Sequence, residues 1–311
     1  MIKTKTLFVL VTLSILWGSS FLAIKIVIDG IPPLFAFGMR FIISGLVLLI
    51  AYTFERKKNK FKSQVKIKWK DALILGGLII LGGQGLLVWG AQYLSSGMTA
   101  LLNSTIPLWV AIITSIVFKQ YLSKTIIFGL ILGFSGLIIL INPFTGNNNL
   151  SPVGIISLTL SSVSWAVGSI YSSKIDLSIS IFKSSGTWLI IGGFTLIITS
   201  LAAGELINLQ ISKISINVIA AFLYLIFLCT AVGYAEFFWL LRVETPSIAN
   251  SFAYIVPVIA VFLGWIMLNE KISIQTIIAT SIIIIGVILM VKSSSYTPNN
   301  NRLKIKQNKD K

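Results

Sequence analysis

The sequence predicts an all-α integral membrane protein with ten transmembrane helices arranged as two inverted five-helix repeats. Three observations carry that prediction: the composition, the spacing of the apolar runs, and an internal repeat. Of 311 residues, 56% are hydrophobic and 11% charged, where a soluble domain carries roughly 25% charge. The mean hydropathy is +0.94. So few charges cannot cover a water-facing surface, and the bulk solvent of this chain is lipid. The same composition removes most familiar enzyme chemistry. Histidine is absent, which excludes imidazole bases, Ser-His-Asp systems and histidine metal sites. A single cysteine, Cys229, excludes an internal disulfide and CxxC metal or redox centres. No cofactor or metal is expected.

A bilayer span needs about 20 mostly apolar residues, because in hydrocarbon each backbone amide must find its partner within its own helix. Ten segments meet that demand: Leu7–Ile28, Leu34–Phe54, Ala72–Tyr93, Thr99–Phe118, Thr125–Ile141, Pro152–Ser172, Ile181–Ala203, Ile216–Leu241, Ser247–Leu268 and Ile274–Val291. The connections are short, leaving no room for a soluble domain. The first span follows a short basic stretch but continues through Trp17 to Ile28 without a small-residue cleavage pattern, so it reads as a retained helix.

Lysine and arginine collect on the cytoplasmic side of a membrane. With the N-terminus inside, 21 of the 25 basic residues are cytoplasmic, eight of them between Arg56 and Lys70 and six after residue 291. Lys25, Lys213 and Lys271 fall outside, and Arg40 lies within the second span. Both termini are therefore expected in the cytoplasm of a multi-pass cell-membrane protein, with residues 292–311 as a basic tail. The formal charge of +16 sits in membrane-flanking loops and this tail, which points to the lipid bilayer and not to nucleic acid as its partner.

The chain repeats itself. At an offset of 148, Ser14, Trp17, Gly45 and Leu48 meet Ser162, Trp165, Gly193 and Leu196. At an offset of 150, Trp89, Pro107, Ser123, Ile127 and Gly136 meet Trp239, Pro257, Ser273, Ile277 and Gly286. The units are residues 7–142 and 152–291. Five spans per unit make the second unit enter the membrane from the opposite side, the inverted-repeat architecture of secondary transporters. Two similar packings, one open to each side, then become near-equal in energy, and a solute held between the units can face either side.

The runs ILWGSSFLAIKIVIDGIPPLFAFGMRFIISGLVLL, GAQYLSSGMTALLNSTIPLWVAI and VETPSIANSFAYIVPVIAVFLGWIMLNEKIS closely resemble the EamA-type drug/metabolite transporter superfamily. The resemblance covers about residues 7–291 and implies a ten-helix, two-repeat carrier of small organic metabolites, commonly an exporter. It also matches Arg40 and Lys25 to basic positions of the family's second helix and opening motif. One departure is Gln120, where the family often has an acid after the fourth helix; the second unit keeps Glu270.

Among nine acidic residues, Glu236 alone lies near mid-span. A carboxylate at that depth costs on the order of 2.5–3.5 kcal/mol, so it must face a wet cavity, meet a cation or be protonated. It is a candidate proton-coupling or substrate-amine site; the alternative is a fixed ion pair with Arg40 or Lys25. Arg40 offers a planar fork for carboxylate or phosphate, and Lys25 a movable point charge. In the third helix Gln84 and Gln92 share one broad face. Asn103 precedes Pro107 and Asn250 and Tyr254 precede Pro257, and each proline frees backbone carbonyls at a depth where only protein or a water-lined cavity tolerates them. The third, fourth, eighth and ninth helices are thus expected to line the pathway. Tyr234 takes the repeat position of Gln84 and points about 160° away from Glu236 on a regular helix. Trp17, Trp165, Trp89 and Trp239 are the aromatic candidates for a substrate pocket. The Gly129 and Gly133 pair suits close helix packing or a homodimer contact.

The expected function is alternating-access transport of a small organic metabolite, an amino acid or related compound or a drug, with export as the direction. A channel or a membrane-embedded lipid-modifying enzyme is the alternative. No GxxxxGK[ST] motif is present, which argues against direct ATP drive.

Overall fold

The computed structural model describes residues 4–59, 68–119, 122–141, 151–173, 175, 180–244, 246–270 and 272–294, and these are all helix, turn or short connection. Gln120, Lys271, most of the Arg56–Lys70 loop and residues 295–311 lie outside the described residues. We label the helical rods α1 (Thr4–Gly30), α2 (Pro33–Asn59), α3 (Trp69–Ala91), α4 (Ser96–Asn103 and Ile106–Phe118), α5 (Lys124–Ile141), α6 (Pro152–Ser172), α7 (Ile181–Ala202), α8 (Ile216–Val243), α9 (Pro246–Ala249, Ser251–Tyr254 and Val256–Leu268) and α10 (Ile274–Ser294). Eight are long and apolar enough to cross a membrane; α5 and α10 contribute the shorter apolar stretches Lys124–Ile139 and Ile274–Gly286. Large apolar side chains such as Phe8, Ile50, Ile131, Ile198 and Phe262 are exposed on the outer surface, as lipid requires and water forbids.

Glycine decides how closely the rods approach. On α2 and α7, a Cβ added at Gly38 would stand 3.0 Å from the carbonyl oxygen of Gly193, and one at Gly45 would stand 2.7 Å from that of Gly186. The relation is reciprocal, since Gly193 faces the Gly38 carbonyl and Gly186 that of Gly45, both at 2.8 Å. The two helices therefore run antiparallel with backbones in contact, the approach small residues permit. On α5 and α10 the Gly286 position would meet the Gly129 oxygen at 2.6 Å and the Gly133 nitrogen at 2.7 Å, so the Gly129–Gly133 pair is occupied within the chain.

The remaining contacts come in matched sets: α1 lies against α8 and α9, and α6 against α3 and α4; α2 touches α8, and α7 touches α3. Two features recur at corresponding places. First, α3 and α8 each contain a π-helical stretch, Gly76–Gly85 and Leu225–Val232. Second, α4 and α9 are interrupted just before Pro107 and Pro257, where proline cannot donate to the ladder. Both rods end on a left-handed residue, Lys119 at φ 51° and Asn269 at φ 53°, a helix stop that usually falls to glycine.

Wider π turns leave carbonyls poorly served by their own helix, and neighbouring rods supply the donors. Ser157, Ser161 and Ser164 of α6 donate to the carbonyls of Leu86 (2.7 Å), Gly83 (2.5 Å) and Leu78 (2.7 Å) in and beside the first π stretch. Ser44 of α2 and Trp17 of α1 donate to Ile226 (2.8 Å) and Cys229 (2.9 Å) in the second.

Candidate functional site

Where both halves meet, a chamber is lined by Trp17, Ser20, Phe21 and Ile24 of α1, Arg40 of α2, Gln84 and Leu87 of α3, Asn103 and Ile106 of α4, Trp165 of α6, Tyr234 of α8, and Phe252 and Val256 of α9. All are buried except Gln84 and Asn103, which are half-buried. The free space it offers is about 30 Å³, room for about two water molecules and too little for an organic solute. Aromatic rings dominate the walls. Trp17 packs edge-on against Trp165 at 5.6 Å and Phe252 at 4.7 Å, and tilted against Tyr234 at 5.4 Å, geometries that the ring quadrupoles favour.

The polar groups of the chamber fall into two sets. Trp17 and Trp165 are fixed: the first indole N–H donates to the Cys229 carbonyl and the second to Asn250 Oδ1 at 3.1 Å, while Asn250 itself donates to the Pro246 carbonyl at 2.8 Å. Asn250 thus lies behind the wall and orients Trp165. The second set has polar capacity unused. Arg40, 2% exposed, donates through Nε to Thr230 Oγ1 and lies over the rings of Phe37 and Phe41 at 4.7 and 5.2 Å, but its Nη1 has no partner. The Tyr234 hydroxyl is equally buried and without a partner. The Gln84 and Asn103 amides make no side-chain hydrogen bond to described residues.

Glu236 lies elsewhere. It leaves α8 toward α1, where Thr12 Oγ1 donates to Oε1 at 2.9 Å, and its buried Oε2 is unpartnered. Arg40 bonds Thr230, and Lys25 the Ala91 and Leu94 carbonyls, so the ion pair that the sequence left as the alternative reading does not form. Glu236 belongs to a polar seam between α1 and α8 that also holds Thr6 donating to Glu244 at 2.9 Å, Lys5 over the Trp239 ring at 4.9 Å, and Ser19 against the Tyr224 hydroxyl at 2.6 Å.

The other predicted residues are dispersed. Lys25 donates to the carbonyls of Ala91 (3.4 Å) and Leu94 (3.2 Å), and with Asp29, Gln92, Tyr93 and Glu270 it lines a separate open pocket of about 550 Å³ at the α3–α4 connection. Gln92 is exposed there and donates to the Trp89 carbonyl, while Trp89 packs against Tyr93. Gln84 and Gln92, assigned one face by periodicity, thus serve different cavities. Glu270 accepts from the backbone N–H groups of Ser96 (2.8 Å) and Gly97 (3.2 Å) at the start of α4. Pro107 sits just inside the second piece of α4 and Pro257 is buried in α9; the side chain of Tyr254 lies outside the described residues. Sequence reading missed Phe21, Ile24, Leu87, Ile106, Phe252 and Val256, which as ordinary apolar residues carried no signal. It missed the π stretches too, for which the glycines of GGLIILGGQG were only a weak hint.

An all-helical bundle with a lipid-facing apolar surface and a buried chamber of aromatic and unpartnered polar groups defines a class: multi-pass membrane proteins that handle small solutes. The EamA-like transporter family matches the chain twice, over residues 4–142 and 152–292. The chain belongs to that family, and is a multi-pass membrane transporter. It is 30% identical over 290 residues to "Uncharacterized inner membrane transporter YedA" of Escherichia coli (strain K12), covering 93% of this chain and 91% of that one. It is 26% identical over 286 residues to "Uncharacterized transporter YoaV" of Bacillus subtilis (strain 168), covering 92% and 96%. A solved crystal structure shares the fold at a TM-score of 0.68 and 15% identity, covering 92% of this chain and 96% of its own.

Proposed function

We propose that the protein is an alternating-access carrier that exports a small organic metabolite, an amino acid or related compound, across the cytoplasmic membrane. In this reading all ten rods span, residues 7–142 and 152–291 are inverted copies, and both termini are cytoplasmic. The reciprocal antiparallel glycine contacts of α2 with α7 support the inversion, because these helices correspond in the repeat. The biased distribution of basic residues supports the orientation.

The observation that carries the reading is the chamber: both halves wall it, it holds unpartnered polar groups, and its 30 Å³ is too small for a solute in this arrangement. Such a site becomes usable only when one set of seams opens, on one side or the other. The α1–α8 seam through Glu236 would close the cytoplasmic side, and the Glu270 and Lys25 bonds at the α3–α4 connection the external side.

Proteoliposome counterflow tests it. Saturable flux with trans-stimulation is expected; flux linear in solute concentration without trans-stimulation would identify a channel and refute the carrier. Placement of single cysteines in the 60–67 loop and the tail on opposite faces of the membrane would refute the topology.

A further inference from the structure

We propose that the solute is a monocarboxylate, or a zwitterion bound by its carboxylate, seated between the Arg40 guanidinium and the Tyr234 hydroxyl with its carbon skeleton against the Trp17 and Trp165 rings. This rests on the transport reading above and adds the substrate's charge and orientation to it.

A cation held at membrane depth normally comes with an anion. Arg40 is 2% exposed, yet its hydrogen-bond partner is a neutral hydroxyl, Thr230, and Nη1 has none. No acidic side chain lines the chamber among the described residues. Glu236 bonds Thr12 across another seam, so it leaves the guanidinium uncompensated. The Phe37 and Phe41 faces contribute cation–π attraction, which lessens the cost without supplying an acceptor for Nη1. Tyr234, 1% exposed, adds a second orphaned donor, its hydroxyl, to the same chamber. Two unsatisfied donors, one of them charged, describe an acceptor-only planar ligand, and carboxylate fits the guanidinium fork. A phosphate dianion would need a second cation, but Lys25 is committed to the Ala91 and Leu94 carbonyls. An amphipathic cation would meet Arg40 with no acid to offset it. The Gln84 and Asn103 amides can accept from an ammonium or hydroxyl on the same solute, which accommodates amino acids alongside simple acids.

The test measures binding and flux separately. The purified full-length protein is melted in detergent with 3-phenylpropionate, L-phenylalanine, L-phenylalaninamide and phenethylamine, for wild type, Tyr234→Phe and Arg40→Gln. The first two probes should raise the melting temperature at concentrations about tenfold below those the amide and amine need. Tyr234→Phe should shrink that preference several-fold, and Arg40→Gln should abolish it. Equal potency of acid, amide and amine in wild type overturns the proposal, as does an undiminished preference in Tyr234→Phe, which keeps the test valid if Arg40→Gln fails to fold. Stabilisation by phenylalanine but not phenylpropionate marks the ammonium as a second required handle and keeps the carboxylate seat. Counterflow in phosphatidylethanolamine/phosphatidylglycerol vesicles separates the two readings. Carboxylate-selective binding without saturable flux refutes the carrier and leaves the seat, whereas saturable flux indifferent to the carboxylate does the reverse.

Discussion

Replacing Glu270 should open the pocket-bearing side of the protein. Its carboxylate accepts two backbone N–H groups, from Ser96 at 2.8 Å and Gly97 at 3.2 Å. Both belong to the first turn of α4, whose amides have no partner of their own, and a negative charge there also meets the positive end of the helix dipole. Hydrogen bonds to charged groups contribute about 1.5–3 kcal/mol each. Glu270 is half-exposed and the second bond is long, so the pair is worth about 2–4 kcal/mol to the closed arrangement. At 1.4 kcal/mol per tenfold, Glu270→Ala should raise the open population by about 30- to 700-fold, provided the bonds break on opening. The readout is modification of Ile24→Cys by an impermeant thiol reagent, in a Cys229→Ser background that keeps the donor to the Leu16 carbonyl. Glu270→Gln, which keeps an acceptor and loses the charge, should fall between. Unchanged labelling in both variants, with unchanged melting, would show that this carboxylate does not hold the connection.

The α2–α7 seam should reject the smallest addition: Gly193→Ala would put a Cβ 2.8 Å from the Gly38 oxygen and 2.9 Å from the Ile42 nitrogen, and should cost about 1–3 kcal/mol. Gly77→Ala, where nothing lies within 4 Å, should be neutral or stabilising by up to about 1 kcal/mol; thermal melts of the pair in one detergent decide. Asn250→Leu removes the acceptor of the Trp165 indole and the donor to Pro246, and should lower stability by about 2–4 kcal/mol and solute affinity with it; retained affinity would show that Trp165 needs no anchor. Glu236→Gln keeps an acceptor for Thr12, so it should fold normally and lose any flux component driven by a pH gradient; identical pH-driven flux in wild type and variant would assign Glu236 to the seam alone.

The class of the protein was legible because lipid imposes it: each rod must be long, apolar and internally hydrogen-bonded, and composition alone reports that. Arg40, Gln84, Asn103, Trp17, Trp165 and Tyr234 were recognisable as candidates because rare or polar residues at depth stand out, and the chamber gathers all six. The same rule selected Trp89, Trp239, Gln92 and Glu236, which line no part of it. Rarity marks a residue as costly in lipid; it does not say which neighbour satisfies it. Glu236 meets Thr12 through a contact between residues 224 positions apart, which periodicity cannot foresee. A regular wheel already sets Tyr234 and Glu236 on opposite sides, and the π stretch ending at Val232 hides the register that would link them to the first half of α8.

The chemistry of the seams bears on how such a protein would move. In the proposed inversion α2 pairs with its own counterpart α7, and α5 with α10, through glycines that bring backbone against backbone. These interfaces look the same from either side of the membrane, so rocking between the two packings has no reason to remake them. The seams that exchange roles are α1 with α8 and α6 with α3. Around Glu236 the first is joined by side chain to side chain, Thr6 to Glu244 and Thr12 to Glu236, and only beyond it does Trp17 donate to the Cys229 carbonyl of a π stretch. The second is joined mainly by serine hydroxyls to backbone carbonyls of a π stretch, with one side-chain pair, Tyr171 donating to Asp71 at 2.7 Å. Opening the first leaves carboxylates that water or a proton can serve; opening the second leaves carbonyls that only water or helix rewinding can serve. In the proposed cycle the two directions of opening are therefore unequal even though the halves share a fold, since two carboxylates, Glu236 and Glu244, join the α1–α8 seam where serine hydroxyls join most of the α6–α3 seam.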